Sequence, residues 1–339
     1  MNRLMRSGLL VAFALGLAAV SAIPAHGQRF EPLDDAGLRY YKGNTHTHTT
    51  ESDGDSPPAV VVAWYRDHGY DFLVLSDHNV LTDPARYATD PDFLLIPGEE
   101  VTSSHDGRPV HVNGLGLPRV VEPRTAATLV ETIQANVDAV REVEGVPHVN
   151  HPNFGWAFGA EELAQVEDDR LLEIHNGHPL VHNLGGGGRL GMEAVWDALL
   201  TGGKRIYGIA VDDAHHFQGE FAPDRSNPGR GWVAVKASGL DAEEILTNLE
   251  RGLFYASTGV ELEDVVVEGG RLEVHVAVRS NFRYTTTFIG AGGKVLAESP
   301  DTVATYELRG GERYVRARVV DSGGAVAWVQ PVFVVDDGR

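Results

Sequence analysis

Between about residues 41 and 256, short apolar runs alternate with helix-like stretches, and this rhythm restricts the chain to a small set of architectures. The runs fall at residues 72–75, 93–96, 110–117, 146–150, 171–174 and 206–211. Helix-like stretches lie at 57–68, 125–144 and 191–200, the first opening on Ser56-Pro57, read as an N-cap followed by a proline at the first helical position. Such alternation predicts an α/β fold with a mostly parallel sheet.

From about residue 261 the pattern changes. Residues 272–278 read Leu-Glu-Val-His-Val-Ala-Val, apolar at every second position, and similar runs follow at 284–289, 302–308, 314–320 and 325–335 between glycine-rich turns. The expectation is a barrel-sized domain over 28–260 and a small antiparallel β-sandwich over 261–339. Gly185 to Gly188 form a four-glycine run with no following Lys-Ser/Thr. It therefore reads as a flexible loop beside the active site and not as a phosphate loop.

Arg3 and Arg6, an uncharged apolar run over 8–20 and Ala25-His26-Gly27 have the layout of a signal peptide over residues 1–27, cleaved before Gln28. The expected location is periplasmic or secreted, with no membrane span after cleavage. The sequence contains no cysteine, which excludes thiolate zinc sites, disulfides and cysteine nucleophiles. Its formal net charge of -20 repels a nucleic-acid backbone, so no nucleic-acid partner is expected. A local cation cluster could still hold an anion against that field.

Five segments with metal-ligand chemistry fall at the downstream ends of predicted strands: His46-Thr47-His48, Asp77-His78, Gly98-Glu99-Glu100, His148-Val149-Asn150-His151 and Asp213-Ala214-His215. His111 lies in a sixth. In parallel α/β barrels that end carries the active site. Strand side chains alternate in direction, so His46 and His48 point the same way and can reach one cation; Asp213 and His215 repeat the spacing. One such pair is a weak signal. Separate core histidines would each need their own hydrogen-bond partner, a poor explanation for so many at once. Imidazole and carboxylate donors together suit zinc, manganese or iron.

The string Gly43-Asn-Thr-His-Thr-His-Thr-Thr-Glu-Ser-Asp53-Gly, then Tyr70-Asp-Phe-Leu-Val-Leu-Ser-Asp77-His78-Asn79, resembles the opening of PHP (polymerase and histidinol phosphatase) metal-dependent phosphoesterases. Pro97-Gly-Glu-Glu-Val-Thr, His111-Val-Asn-Gly-Leu-Gly, Asn150-His151-Pro-Asn and Asp212-Asp213-Ala-His215 follow in the family's order. Gly252-Leu-Phe-Tyr-Ala-Ser-Thr-Gly259 is similar to the CehA/McbA-like branch. The resemblance spans about residues 41–260 and implies a distorted TIM-like (β/α)7 barrel with two or three divalent metal ions. By position it implies His46 and His48 as the first ligand pair, Asp53 shortly after, and His78 from the second motif. It implies Glu100 and not Glu99 as the bridging carboxylate, His111 and His151 at a third metal, and Asp213 with His215 as the closing pair. Glu100, Asp213 and His215 are the three to which catalysis is assigned. Strand alternation alone does not choose between Glu99 and Glu100, because Pro97-Gly98 is expected to break the pleat. His148 is left out, since its spacing from His151 turns it away.

These readings predict an exported metal-dependent hydrolase, a phosphoesterase acting on a small phosphorylated ester through metal-activated water. The alternatives are hydrolysis of a carboxylic ester, carbamate or amide, and a metal-dependent binding protein with an inert barrel, since fold does not fix function. Lys204, Arg205, Arg189 and Arg230 are the basic candidates for a phosphate contact. His105, His182 and His216 are candidate loop acids, and Trp156 and Phe158 a candidate apolar wall. Asp77 either orients a ligand or caps its strand.

Overall fold

The computed structural model describes residues 27–88 and 90–336. Residues 1–26 of the expected signal peptide lie outside the described residues. The chain runs β1 (Gln28–Phe30), β2 (Arg39–Asn44), α1 (Pro58–Asp67), β3 (Phe72–Leu75), β4 (Leu94–His105), β5 (Arg108–Leu115), α2 (Leu129–Arg141), β6 (Val146–Val149), α3 (Ala160–Leu163), β7 (Leu171–Asn176), α4 (Met192–Thr201), β8 (Tyr207–Val211), β9 (Trp232–Ala237), α5 (Ala242–Glu250) and β10 (Phe254–Ser257). The remaining strands are β11 (Leu262–Glu268), β12 (Arg271–Val276), β13 (Tyr284–Gly290), β14 (Lys294–Ser299), β15 (Val303–Glu307), β16 (Tyr314–Asp321) and β17 (Val326–Asp336).

Local chemistry explains where these elements start. All four residues of β3 are apolar and buried, as a strand covered on both faces must be. Helix α2 opens on a capping box: Glu131 N donates to Thr128 Oγ1 at 3.2 Å, and Thr128 N donates to Glu131 Oε2 at 3.0 Å. Helix α1 corrects the expected cap. Pro57 is its N-cap and Pro58 stands in the first turn, while Ser56 Oγ donates to Asp55 instead.

One sheet of fourteen strands dominates the fold, in the order β14-β13-β16-β17-β10-β9-β2-β3-β4-β5-β6-β7-β8, with β1 on β17. The β2–β3, β3–β4, β6–β7 and β7–β8 pairs are parallel, but β4–β5 and β5–β6 are antiparallel. The architecture is therefore mixed α/β, and the expected (β/α)7 barrel is met only in part. The departure lies at Asp106-Gly107, where φ is +48° and +77°. Two successive residues with positive φ make a tight hairpin turn, which leaves no room for a crossover helix. The β2–β8 arc curls until its two ends touch. Thr47 forms a parallel bridge with Ala214, Asp213 N donates to His46 O (3.0 Å), and His48 N donates to Ala214 O (2.9 Å).

Through β17, the strands β16, β13 and β14 continue the same sheet, while β11, β12 and β15 form a separate three-stranded sheet. A shared core that includes Leu272, Val274, Phe288, Tyr306, Val315 and Val319 lies between the two layers.

Helix α4 is joined to β16 by a buried ion pair. Arg316, 1% exposed, donates to both carboxylate oxygens of Asp197 at 2.7 Å, and its Nη2 lies 2.9 Å from Glu193. Removing one partner of such a pair strands a buried charge. Arg316→Ala should lower unfolding free energy by about 3–5 kcal/mol, measured by urea denaturation. A loss below about 1 kcal/mol, the range of exposed pairs, would contradict this reading.

Candidate metal centre

Every sequence-predicted ligand is carried to one end of the curled strands. His46 and His48 follow β2, Asp53 lies on the next loop and His78 follows β3. Glu100 and His111 lie within β4 and β5, His151 follows β6, and Asp213 and His215 follow β8. The loop after β2 is organised by Asp77. Its carboxylate accepts from Thr49 N (2.7 Å), Ser52 Oγ (2.8 Å) and Thr82 Oγ1 (2.7 Å). Asp77 thus positions the segment bearing His48 and Asp53 and touches no imidazole of the set.

Strand β4 runs unbroken through Pro97-Gly98, contrary to the expected break. A Cβ on Gly98 would fall 2.4 Å from Val74 Cγ1 and 2.7 Å from Gly114 O, so only glycine lets β4 pack here. With the pleat intact, the two glutamates point to opposite sides. Glu99 Oε1 accepts from Val121 N (2.8 Å), and burial pushes its pKa up to about 7. Glu100 points into the cluster.

The tightest set is His46 Nε2, His48 Nε2, Glu100 Oε2 and Asp213 Oδ1. His46 Nε2 is 3.2 Å from His48 Nε2, 3.3 Å from Glu100 and 3.4 Å from Asp213. His48 Nε2 is 3.4 Å from Glu100 and 3.1 Å from Asp213. Donors around a tetrahedral cation stand about 3.3–3.6 Å apart, since each bond is about 2.0–2.2 Å. Three of the five distances fall in this range and the other two, 3.1 and 3.2 Å, lie just below it, so the set approximates a cation's ligand shell. Glu100 Oε2 is buried without any hydrogen bond, although His78 Nδ1 stands 3.0 Å away and the other two rings are as close as given above. A buried carboxylate oxygen so placed needs positive charge beside it, from a cation or from a protonated imidazole such as His78.

Glu100 divides its oxygens between groups. Oε1 lies 2.8 Å from His111 Nδ1 and 3.3 Å from His151 Nε2, while Oε2 faces His46, His48 and His78. A further group gathers His48, Asp53, His78 and His215 within 4.8 Å. All nine predicted residues fall into such groups.

Neighbouring residues set the ring tautomers. His46 Nδ1 donates to Glu173 Oε1 at 2.6 Å, and His215 Nδ1 donates to the Asp213 carbonyl at 2.9 Å. Each ring then presents Nε2 with a free lone pair. Glu173 also accepts from His151 N and Asn176 Nδ2, at 2.8 and 2.9 Å. It was missed in the sequence, although a glutamate inside the apolar run of β7 is the signal that could have found it. His178, which also lines the site, was missed too. His148 is buried beside His46, with ring centroids 6.1 Å apart, but belongs to none of the ligand groups.

The electrostatics follow from this crowding. Burial alone would raise the Glu100 and Asp213 pKa values, yet the surrounding imidazoles hold both well below the ordinary carboxylate range. His48 is lowered to about 4 by burial and by His215. His78 is raised to about 10 by Glu100 and Asp53 in spite of its burial. Asp213 itself has φ +48°, a left-handed backbone that costs about 1–3 kcal/mol in a non-glycine residue.

A cavity of about 180 Å³ opens on the cluster, lined by seven of the nine residues together with Phe154 and His178. None of the four basic candidates lines it. Lys204 pairs with Asp169, Arg205 with Glu31, and Arg230 binds the carbonyls of Gly177 and Ala222, while Arg189 is exposed on the glycine loop. His105, His182, His216, Trp156 and Phe158 do not line it either. A second cavity of about 280 Å³, between Tyr207, Phe254 and Phe333, has the Arg205–Glu31 and Arg251–Asp34 ion pairs on its wall.

This is the architecture of PHP-like proteins. A two-domain protein from Bacteroides vulgatus containing a predicted PHP-like metal-dependent phosphoesterase superposes with a TM-score of 0.53 over 91% of this chain and 98% of that one, at 17% identity. The chain therefore has the PHP-like fold. An amidohydrolase from Chromobacterium violaceum with bound sulfate and no metal aligns over 55% of this chain and 93% of that one, at 16% identity and a TM-score of 0.38. Among curated proteins, a 5'-3' exoribonuclease from Haemophilus influenzae is 28% identical over 187 residues, 50% of this chain and 67% of that relative. No protein-family model matches the chain.

Two outcomes test the centre. Glu100→Ala should lose bound cation, while Glu99→Ala should keep it, measured by plasma mass spectrometry of the purified proteins. Equal loss in both would contradict the assignment. Cation binding must also displace the proton that His78, at about 10, carries at neutral pH. Affinity should rise as pH increases from 7 toward 10, with proton uptake on release, measured by calorimetry in buffers of different ionisation enthalpy. An affinity that is flat in this range would show that His78 is not displaced.

Proposed function

We propose that this chain is a metal-dependent hydrolase, and a phosphoesterase in the first instance. The observation that carries the reading is the His46/His48/Glu100/Asp213 shell with Glu100 shared between groups, which suits two or three cations of zinc, manganese or iron. Divalent cations held by such donors supply Lewis acidity and make water a competent nucleophile near neutral pH. The chain's own residues do the rest. Glu173 and the Asp213 carbonyl hold the Nδ1 protons of His46 and His215, so the rings cannot turn away. Asp53, about half-exposed beside His78 and His215, forms the lip where substrate and water meet.

We read the β2–β8 arc as a distorted seven-stranded barrel of the CehA/McbA-like kind, over residues 28–260, with the β-sandwich over 261–339. The N-terminal pattern supports export and a periplasmic or secreted location, and no helix among the described residues is long and apolar enough to cross a membrane. The substrate we favour is a small ester. The similarity to an exoribonuclease supports phosphodiester chemistry, but a net charge of -20 opposes a long polyanion. One observation favours the second reading, a carboxylic ester, carbamate or amide. No Lys or Arg lines the cavity or the two clefts beside it, so no guanidinium is there to grip a phosphoryl dianion.

The deciding assay compares p-nitrophenyl phosphate, bis-p-nitrophenyl phosphate and p-nitrophenyl acetate on metal-loaded protein. Turnover of a phosphate substrate, abolished by chelation and lowered by orders of magnitude in Asp213→Ala, is expected. Turnover of the acetate alone would favour the second reading, and full activity in metal-free Asp213→Ala would overturn both.

A further inference from the structure

We propose that His178, on the loop after β7, is the substrate-binding hydrogen-bond donor of the site: a neutral imidazole whose Nε2–H grips an oxygen of the bound substrate at the cluster. This rests on the hydrolase reading and adds a residue and a role to it.

Of the nine residues lining the cavity, seven offer ligand atoms to the convergent groups and Phe154 is apolar. His178 is the ninth. It lines the cavity and also the neighbouring cleft formed with Leu180 and Pro223, so it stands where a substrate would pass from one to the other. Its ring meets His215 edge-on, with centroids 5.5 Å apart, and meets Phe154 in the same way at 6.1 Å.

The tautomer is set by the backbone. Leu180 N donates to His178 Nδ1 at 3.2 Å, so Nδ1 is an acceptor and the ring proton resides on Nε2. An Nε2 that carries a proton cannot ligate a cation, and Nδ1 is occupied. His178 is thus placed as a donor and barred from being a ligand, consistent with its absence from every convergent group.

The position is tied to the cluster. His178 N donates to Asn176 Oδ1 at 2.8 Å. Asn176 Nδ2 in turn donates to Glu173 Oε2 (2.9 Å) and Asp213 Oδ2 (3.1 Å), and Gly177 N donates to Val211 O (2.9 Å). The same carboxylates that organise the cluster therefore hold the loop that aims the donor. With no Lys or Arg in the cavity lining, an N–H from a neutral ring is the donor the wall offers to an oxygen.

The experiment uses the full chain loaded with manganese or zinc, as wild type, H178F and H178Q. Phenylalanine keeps the ring shape without a donor, and glutamine keeps an N–H. Metal content, affinity for inorganic phosphate by calorimetry, and kcat and KM on p-nitrophenyl phosphate are measured for each. Expected are equal metal content in all three, phosphate affinity and kcat/KM reduced about 10- to 100-fold in H178F, the worth of one hydrogen bond to a charged oxygen, and substantial recovery in H178Q. Should H178F not fold, H178A takes its place. Unchanged phosphate affinity in H178F, equal losses in both variants, metal loss in H178F, or no phosphate binding by wild type would each overturn the proposal. Phosphate binding that depends on His178 in a protein that hydrolyses no ester would overturn the hydrolase reading and leave the donor standing.

Discussion

Glu100, Glu173 and Asp213 are buried together against seven imidazoles, and the surrounding structure is arranged around the charge this concentrates. A carboxylate removed from water is expensive unless it is paired and hydrogen-bonded. Glu173 is satisfied within the protein, by His46, His151 N and Asn176. Glu100 and Asp213 are not satisfied in the same way: Glu100 Oε2 has no hydrogen bond and faces ring nitrogens at 3.0–3.4 Å, while Asp213 Oδ1 is hydrogen-bonded to His48 Nε2 at 3.1 Å, with nitrogens of His46 and His215 at 3.4 and 3.7 Å. Without a cation, protons on the histidines must balance those charges: Glu100 and Asp53 raise His78 to about 10, and Asp213, Glu100 and Glu173 raise His46, whereas burial and the neighbouring His215 lower His48 to about 4. With a cation in place the same donors become a ligand shell.

Holding such donors together requires fixed segments, and three of them have a buried side-chain anchor. Asp77 ties down the segment after β2. Asp212 accepts from Tyr65 Oη, Gly229 N, Arg230 N and Gly231 N, locking helix α1 and the loop before β9 onto the residue preceding Asp213. Asn150 donates to Glu100 Oε1 and to Asn113 Oδ1, bracing the glutamate from below. The left-handed backbone at Asp213 persists because Asp213 N and the Thr47–Ala214 bridge close the sheet on either side of it.

Much of this was legible in the sequence, and the failures have identifiable physical reasons. Strand-end histidines and carboxylates are readable because spacing dictates which face a side chain takes, as at His46 and His48. The runs at 72–75 and 206–211 became strands because nothing in them competes with burial, and the run at 146–150 did so because its polar members His148 and Asn150 find partners in Thr45, Glu100 and Asn113. The antiparallel β4–β5 pair was missed although Asp106-Gly107 is a strong hairpin signal, because flanking apolar runs look the same in parallel and antiparallel sheets. Strands β9 and β10 and helix α5 were not read, and neither were β11 and β14; β14 is largely exposed, so its alternation is faint. His178 and Asn176 lay hidden for another reason. Their roles depend on which side chains the fold brings beside them, which one chain's local pattern does not encode.

The central claim is that the convergence of these donors is a cation site and not a hydrogen-bonded core. Anomalous diffraction from crystals grown with manganese or zinc tests it most directly. An anomalous peak is expected about 2.0–2.2 Å from His46 Nε2, His48 Nε2 and Asp213 Oδ1, and at least one more against Glu100. Crystals that show no peak there, with protonated imidazoles hydrogen-bonded to Glu100 and Asp213 at neutral pH, would contradict it.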